Sequence, residues 1–154
     1  MPYQCEINDL AERPTLAVRA VVPVHELPQA IGAAFGAVAR YLGERGEQPA
    51  GPPFVAYHTM DMQALDVEAG FPVFAPVEVL GDIRAGEIPA GKYASCLHIG
   101  PYTELRAAYE ALNRYVVERG LEATGIAYEF YLNDPEKTPP EELQTEILFP
   151  LKTT

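Results

Sequence analysis

The sequence predicts an α+β fold made by tandem duplication of one small unit, which comprises a strand, a helix and two further strands. Three observations lead to this prediction. Two segments have apolar residues at helical spacing, the segments around them alternate between apolar and polar residues, and the two helical segments match each other. We expect a single domain over residues 1–154, with pseudo-repeats at about 1–75 and 82–154, a mostly antiparallel sheet, both helices on one face and a ligand groove on the other.

The first repeat contains a predicted helix at about residues 28–45, where apolar residues recur every three or four positions. Pro28 suits a first helical turn, and Gly46 suits the end of the helix. Residues 5–8 are a candidate strand that would form a hairpin at the start of this half. Alternating segments predict the other strands of this repeat at 15–22, 54–60 and 63–71.

The second repeat contains a predicted helix at about residues 102–119, which Thr103 can cap and Gly120 ends. Its predicted strands are at 92–98, 126–133 and 143–151. The segment Ile83–Ile88 is a candidate strand for a hairpin at the start of this half. Proline cannot donate to a strand ladder, so the remaining segments are predicted to be loops at 48–53 and 134–140 and a joining segment at 76–81.

The duplication is supported at three places that occur in the same order in both halves. Residues 40–46 and 114–120 are identical at five of seven positions, at an offset of 74. Residues 55–58 align with 126–129 at an offset of 71, and residues 68–72 align with 146–150 at an offset of 78. One such match arises easily by chance, but three in the same order indicate an internal repeat.

The charge balance is acidic, with 11 Lys and Arg against 22 Asp and Glu and a net charge of -11. This charge repels a phosphate backbone, so we expect no direct nucleic-acid partner, and it favours cationic ligands or basic proteins. The chain has no apolar run of membrane-spanning length and no signal-peptide pattern at its N-terminus. We therefore expect a cytoplasmic protein with no membrane partner, whose oligomeric state the sequence leaves open.

No cofactor or metal is expected. Cys5 and Cys96 match no zinc or redox spacing and are expected to be reduced cysteines. The three histidines lack ligand spacing, the glycines form no phosphate loop, and Ser95 is not in a nucleophile-elbow context. His98, which stands before Gly-Pro, is expected to be structural.

Strand alternation predicts which side chains face away from the helices. In strand 126–133 the apolar register that starts at Ile126 is expected to face the helices, which turns Glu129 and Tyr131 to the other face. The odd-numbered residues of 65–71 and 143–151 are also expected to face the helices. By the same rule, the other residues expected on the helix-free face are Glu146, Leu148, His58, Met60 and Glu68.

These side chains would meet in a central groove if the two halves lie side by side about a pseudo-two-fold axis. A groove of carboxylates and aromatic or apolar groups suits a flat lipophilic ligand, preferably a cation, which aromatic faces and partly buried carboxylates attract. The alternative is an ordinary solvated sheet face, on which the same glutamates are surface residues.

Four motifs in the second half add a resemblance. They are Gly-Lys-Tyr at 91–93, His-Ile-Gly-Pro-Tyr at 98–102 directly before a helix, Tyr-Glu-Phe-Tyr-Leu-Asn-Asp-Pro at 128–135, and Thr-Glu-Ile-Leu-Phe-Pro-Leu at 145–151. The chain thereby resembles the GyrI-like family, the effector-binding domains of multidrug-responsive bacterial transcription regulators and their free-standing relatives. The family has the same tandem strand-helix-two-strand repeat, so the resemblance extends over essentially the whole chain.

The resemblance implies that Glu129 is the buried acid of a ligand pocket and that Glu146 falls where some members carry a second acid. It also implies that aromatic residues line the pocket and bind lipophilic cations loosely. The aromatic residues expected to form the walls are Tyr131, Tyr93, Phe71 and Phe74. Because residues 1–154 contain no DNA-binding module, a free-standing member is expected.

Three functions remain open at this point. The first is a sensor or sequestering module that binds lipophilic, cationic small molecules. The second is implied by the resemblance, since some GyrI-like proteins are hydrolases that open cyclopropane-type electrophilic drugs with water. In such an enzyme Glu129 would be the general base and Tyr131 a donor to the developing oxyanion. The third is a protein-interaction module like the gyrase-inhibitor relatives, in which the acidic charge partly mimics DNA.

Overall fold

The computed structural model describes residues 3–59, 61–76 and 81–152. Within it the chain divides into two compact units. The first unit comprises residues 11–90, and the second combines the residues before position 11 with those after position 90. The elements are β1 (Cys5–Leu10), β2 (Arg13–Val22), α1 (Leu27–Glu44), β3 (Phe54–Tyr57), β4 (Leu65–Pro72), β5 (Ile83–Ile88), β6 (Gly91–Ile99), α2 (Leu105–Glu118), β7 (Ala127–Tyr131) and β8 (Gln144–Pro150).

The first unit is a four-stranded antiparallel sheet in the order β3-β4-β2-β5, with α1 packed against β2 and β4. The buried residues of α1 are Ala34, Val38 and Leu42, which recur every four positions and form one stripe. Leu16 of β2 joins Val38 and Leu42 in the core of this unit. The strand-helix-two-strand order β2-α1-β3-β4 is the predicted one, and it gives the predicted α+β class.

The second unit repeats this plan, as a four-stranded antiparallel sheet in the order β1-β6-β8-β7. Helix α2 packs on β6 through the buried residues Ala108, Leu112 and Val116. The predicted order β6-α2-β7-β8 is confirmed here too. In each unit the helix therefore covers one face of its own sheet, and this decides which side chains can meet beneath it.

The hairpins that the sequence predicts at the start of each half are wrong. β1 pairs with β6, and β5 pairs with β2, so each extra strand completes the sheet of the other half of the sequence. The physical reason lies in the two-residue connections, Ala11-Glu12 and Pro89-Ala90. A two-residue hairpin loop needs positive φ angles, which suit Gly, Asn or Asp, and the described residues other than glycine have none.

The helix ends agree with the sequence except at one cap. Gly46 and Gly120 follow α1 and α2 with φ of 68° and 71°, in the left-handed region that favours glycine. Thr103 does not cap α2, because it lies inside a 3-10 turn at Tyr102–Glu104 and no side chain caps either turn or helix. The predicted joining segment 76–81 lies largely outside the described residues.

One ring contact recurs at equivalent places of the two units. Phe35 of α1 lies 5.8 Å from Phe71 of β4, and Tyr109 of α2 lies 5.7 Å from Phe149 of β8, between ring centroids. In the strand next to β4, Val55 lies opposite Ala69, two residues before Phe71.

In the second unit Glu129 occupies the same position, because it lies opposite Ile147, two residues before Phe149. Glu129 is therefore equivalent to Val55, at the offset of 74 that also relates the helices. The predicted alignment of 55–58 with 126–129, at an offset of 71, is wrong by three positions. A three-residue error exchanges the two faces of a strand.

Candidate functional site

Glu129 lies in the middle of β7 and points toward α2, because its carboxylate accepts a hydrogen bond from the hydroxyl of Tyr109 on that helix. This corrects the prediction that Glu129 and Tyr131 face away from the helices. The alternation rule fails here because both registers of β7 are covered. Tyr128 and Phe130, in the register expected to face the helix, are also buried, at 6% and 1% exposure. A strand buried on both sides gives no polar face from which to choose.

Aromatic side chains lie around the Glu129 carboxylate, which is 6% exposed. The Tyr131 hydroxyl donates to Oε1 at 2.7 Å, and the Tyr109 hydroxyl donates to Oε2. The Tyr102 ring, in the turn before α2, lies 5.7 Å from the Tyr131 ring. The Phe149 ring packs beside Tyr109 from β8. We call these five residues the acidic-aromatic cluster: Glu129, Tyr109, Tyr131, Tyr102 and Phe149.

Burial raises the pKa of Glu129, and the hydrogen bonds from Tyr109 and Tyr131 and the nearby His98 lower it by less. Burial also raises the pKa of the Tyr102 hydroxyl, with a further contribution from the Glu129 charge. Across residues 3–59, 61–76 and 81–152, no Lys or Arg forms a salt bridge with Glu129. The cluster therefore holds a carboxylate that is hydrogen-bonded but forms no salt bridge with a Lys or Arg of the described residues.

The repeat shows that the fold itself does not require this acid. Val55 stands at the equivalent position of the first unit, and it is fully buried. Phe35, equivalent to Tyr109, contacts Phe71 there as Tyr109 contacts Phe149. One copy of the unit thus closes this position with apolar groups, and the other places an acid and a hydroxyl there.

Three residues predicted to share the groove with Glu129 lie on the opposite face of the same sheet. Glu146 and Leu148 alternate with Ile147, which lies opposite Glu129, so both point away from α2. Tyr93 of β6 is 2% exposed, and its ring lies 6.3 Å from that of Tyr128. The prediction that Glu146, Leu148 and Tyr93 line one pocket with Glu129 is therefore wrong as a statement of geometry.

The first unit brings together two of the residues predicted in it. His58 Nε2 lies 3.1 Å from Glu68 Oε1, and both side chains are half-buried. The ladder places them on the face away from α1, as predicted, because Glu68 alternates with Ala69 and Phe71 of the helix-facing register. Met60 lies outside the described residues.

The two predicted phenylalanine walls differ from each other. Phe71 lies on the α1 side of the first unit, where it packs against Phe35. Phe74, two residues after β4 ends, is 78% exposed. A side chain with that exposure does not act as a wall in this unit, so its predicted place is wrong.

Two further polar groups lie beneath α2. His98 Nε2 donates to the carbonyl of Pro101 at 3.0 Å, and Nδ1 lies 2.9 Å from the hydroxyl of Tyr3, which agrees with the predicted structural role. Thr145 lies between His98 and Tyr131 across the sheet. Its Oγ1 is buried and has no hydrogen-bond partner among the described residues. Such an unpaired hydroxyl is uncommon in a protein interior, and it lies beside the acidic-aromatic cluster.

Sequence reasoning missed Tyr109, Tyr102 and Phe149 as members of the cluster. Tyr109 was assigned to the apolar stripe of its helix, where a tyrosine and a phenylalanine are equally acceptable. One signal was present in the repeat. Tyr109 aligns with Phe35 at the offset of 74, and at that same offset Glu129 aligns with Val55. Two apolar-to-polar differences at one offset indicate a polar contact between helix and strand.

Two further properties bear on the kind of site. Among the described residues, no three His, Cys, Asp or Glu side chains come together in a way that could hold a metal ion. Within the same part of the chain, neither helix has the length and apolar character needed to cross a membrane.

Comparison with known families and structures gives a consistent picture. A family model described as GyrI-like small molecule binding domain matches residues 3–152. The crystal structure of the EcmrR C-terminal domain superposes with a TM-score of 0.82 at 26% identity, over 100% of both chains. The cryo-EM structure of an EcmrR–DNA complex gives a TM-score of 0.85 at 25% identity and covers 100% of this chain. This chain spans 59% of that EcmrR chain.

More distant structures share the fold. A hydrolase from Listeria innocua superposes with a TM-score of 0.69 at 17% identity, over 99% of this chain and 94% of its own. SAV2435 bound to tetraphenylphosphonium superposes with a TM-score of 0.63 at 14% identity, again over 99% and 94%. No protein with a curated description matches the chain by sequence.

Proposed function

This chain belongs to the GyrI-like family of small molecule binding domains, and on that premise we propose that its second unit binds lipophilic cations beside Glu129. The observation that carries the proposal is the acidic-aromatic cluster. It combines a carboxylate that is 6% exposed with three tyrosines and a phenylalanine.

Charge supports a cation as the ligand. Desolvation penalises the ionised form of Glu129, and no side-chain cation pairs with it in the described structure. A bound cation would supply the missing counter-charge in surroundings where water is largely excluded, so the attraction is stronger than at an exposed carboxylate. The two tyrosine hydroxyls hold both carboxylate oxygens in place for such a ligand.

The rings support a lipophilic ligand. Tyrosine faces attract cations by about 0.5–2 kcal/mol per contact and offer apolar area at low conformational cost. Tyr102 is 36% exposed and stands at the start of α2, so it connects the buried acid with solvent. A site of rings and one acid has few directed hydrogen bonds, which favours broad rather than strict specificity.

The test uses tetraphenylphosphonium, the cation bound to the similarly folded SAV2435, and triphenylphosphine oxide as an uncharged aromatic control. Glu129→Gln keeps the shape and removes the charge. We expect it to weaken binding of the cation by about tenfold or more, about 1–2 kcal/mol for a partly buried charge contact. Binding of the uncharged probe should change little.

Glu68→Gln is the matched control, because it removes the same charge from a half-buried glutamate of the first unit. Titration calorimetry on the three proteins should show the loss of affinity in the Glu129 variant alone. Equal losses of affinity in both variants would mean that the net charge of the protein, and not a site at Glu129, explains the effect. An unchanged affinity in Glu129→Gln would contradict the proposal.

A hydrolase is the second candidate, because a carboxyl group whose pKa burial raises also suits a general base. Against it, the Tyr131 hydroxyl that would donate to an oxyanion already donates to Glu129. Incubation with a cyclopropane-containing electrophilic drug decides between the two by mass spectrometry. Addition of one water, lost in Glu129→Gln, would support turnover, whereas saturable binding without product supports the binding module.

The role of such binding in the cell is a sensor or sequestering module. EcmrR, whose C-terminal domain is 26% identical to this chain, forms a complex with DNA. The described residues match that C-terminal part, so a sensor role would need a DNA-binding module from another chain or another segment. A sequestering role needs binding alone.

A further inference from the structure

Cys5 and Cys96, 91 positions apart in the sequence, lie directly opposite each other in the β1–β6 ladder. Side chains at directly opposed positions of an antiparallel pair project from the same face. Cys5 is half-buried and Cys96 is buried, and neither is in a disulfide. Burial raises the pKa of Cys5 and the interaction between the two thiols lowers it by less, whereas the same interaction raises the pKa of Cys96 further.

The position of this pair in the ladder favours a covalent bond. The Lys92 carbonyl accepts a hydrogen bond from the Leu151 N–H, and the Gly100 N–H donates to the Leu143 carbonyl, so these two even positions direct backbone groups toward the β8 side. By the alternation of an antiparallel sheet, Cys96 also directs its backbone groups to β8, so it meets Cys5 at a non-hydrogen-bonded position of the β1 ladder. The Cα atoms of such pairs are about 4.5 Å apart, within the range that a disulfide spans.

A side-chain hydrogen bond beside the cysteine pair also joins the segment of β1 to β6. Tyr3, two residues before Cys5, bonds to His98, two residues after Cys96. Cys96 Sγ also lies 3.8 Å from the carbonyl of Ala108 on α2, so the thiol is held beneath the helix. The cysteine pair therefore has fixed neighbours along the strand and above it.

A cavity of about 730 Å³ gives small molecules access to this region, where β6 runs on beyond the paired end of β1. Cys96, Tyr3 and His98 are among its lining residues. Gln4 and Glu6, which flank Cys5 in the sequence, line it too, but Cys5 itself does not. Its charged lining residues are the acids Glu6, Glu104 and Glu146, and its described lining contains no Lys or Arg. Such an acidic entrance attracts cations and repels anions.

We propose that Cys5 and Cys96 form a disulfide by exchange with a small, positively charged disulfide that approaches Cys5 from this cavity, beside Gln4 and Glu6. The new bond fastens β1 covalently to β6. The Cys5 thiolate attacks one sulfur of the small disulfide and releases the other half as a thiol. Cys96 then loses its proton, attacks the Cys5 sulfur of the mixed disulfide and releases the second half. Two protein thiols are oxidised to one disulfide, and one small disulfide is reduced to two thiols.

The order of the two attacks follows from burial. Burial raises the pKa of both thiols, and burial together with Cys5 and Glu146 raises that of Cys96 to about 12. Because the thiolate is the nucleophile, the half-buried Cys5 reacts first with the external disulfide. The less reactive Cys96 attacks second, when the Cys5 sulfur of the mixed disulfide already lies opposite it.

The experiment compares three probes on the full chain: cystamine, which is cationic, hydroxyethyl disulfide, which is neutral, and glutathione disulfide, which is anionic. Each rate of thiol loss is divided by the rate of the same probe with a small free thiol. We expect cystamine to react about threefold or more faster than glutathione disulfide at low salt, with a gap that narrows at high salt. Equal normalised rates, or a gap that salt does not change, would overturn the charge selection.

Peptide mapping without reduction identifies the product. The expected product is one Cys5–Cys96 linkage in a monomeric chain, with the loss of two hydrogens. Two mixed disulfides on one chain, or a bond between two chains, would overturn the proposal. Cys96→Ser should accumulate a single mixed disulfide at Cys5, whereas Cys5→Ser should react several-fold more slowly than the wild type. A Cys5→Ser variant that reacts as fast as the wild type would contradict the proposed order.

The consequence for β1 has its own readout. Hydrogen exchange at Cys5–Leu10 amides should slow by about tenfold or more in the oxidised chain, since opening of this strand then has to proceed with its end fastened. The reduced chain and Cys5→Ser treated with the same oxidant should exchange alike. Unchanged exchange in a chain mapped as fully oxidised would show that the bond does not hold the strand.

Discussion

Val55 and Glu129 occupy equivalent positions of the two units, each opposite the residue two before the phenylalanine that contacts its helix. The same backbone position is thus filled by a fully buried valine in one copy and by a buried acid in the other. The apolar copy is an internal control for the energetic cost of the acid.

Transfer of the apolar pair should stabilise the second unit. Replacement of Glu129 by Val and of Tyr109 by Phe together removes a buried charge and its hydroxyl partner. We expect the double variant to gain about 1–3 kcal/mol in free energy of unfolding, measured in urea at neutral pH, and to lose binding of tetraphenylphosphonium.

Its control is the reverse change, Val55→Glu, which places an acid against Phe35 with no hydroxyl there. This variant should lose about 3 kcal/mol or more. A double variant less stable than the wild type would mean that the acid contributes to stability.

Glu129 should make the free energy of unfolding fall as pH rises. Its folded pKa lies above its ordinary value of 4.5, so in the window above 4.5 the folded chain binds more protons here than the unfolded chain. The contribution of the protonated group is therefore present below pH 4.5 and is lost as pH rises through the folded pKa.

The measurement is the difference in free energy of unfolding between the wild type and Glu129→Gln from pH 4 to pH 8. The facing groups, Tyr109, Tyr131 and His98, are the same in both proteins, so they largely cancel. As pH rises, we expect the free energy of unfolding of Glu129→Gln to increase relative to that of the wild type, by at most about 1.4 kcal/mol per pH unit. A difference that is flat, or that falls with pH, would contradict a raised pKa.

Removal of one hydroxyl should weaken cation binding through the acid. Tyr131→Phe keeps the ring but removes the donor that lies 2.7 Å from Glu129 Oε1. The ionised carboxylate loses a stabilising hydrogen bond, so we expect binding of tetraphenylphosphonium at pH 7 to weaken by about three- to tenfold.

Tyr102→Phe is the matched control, because the Tyr102 ring packs on Tyr131 and no hydrogen bond joins its hydroxyl to Glu129 in the described structure. Its affinity should stay within about twofold of the wild type. A larger loss for Tyr102→Phe than for Tyr131→Phe would mean that the Tyr102 hydroxyl, and not the Tyr131 hydroxyl, supports cation binding.

Two glycines should respond in opposite directions to alanine. A Cβ at Gly70 of β4 would overlap the carbonyl of Leu16 and the backbone of Ala17, so Gly70→Ala should cost about 2 kcal/mol or more. A Cβ at Gly36, on the exposed side of α1, meets no described atom within 4 Å.

Gly36→Ala should therefore stabilise the chain by about 0.5–1 kcal/mol, the ordinary difference between these residues inside a helix. Thermal unfolding of the two variants checks both signs. A neutral Gly70→Ala would mean that β2 and β4 separate easily at this point.

The parts of the fold that depend on local sequence were predictable. The helices follow from apolar stripes, and their ends follow from Gly46 and Gly120, whose φ angles a side chain would disfavour. The pairing of distant strands was not predictable, because the residues around Cys5 contain no local signal that β1 pairs with β6 at Cys96. Strand pairing of this kind is decided by the whole sheet.

The site was predictable in its acid and not in its surroundings. Motif and resemblance both pointed to Glu129, but alternation placed it on the wrong face because β7 is buried on both sides. Glu146 was grouped with Glu129 for the same reason, although the two side chains point to opposite faces. The role of Tyr109 follows only from the packing of α2 on the sheet, which brings its hydroxyl to the Glu129 carboxylate.

The pairing of β1 with β6 has a consequence for biosynthesis. All four strands of the first sheet, from Arg13 to Ile88, emerge from the ribosome in one continuous stretch. β1 is made before that stretch, yet its partner at Gly91–Ile99 arrives only after it. During translation β1 therefore stays without its partner strand β6 until the whole first sheet has been made.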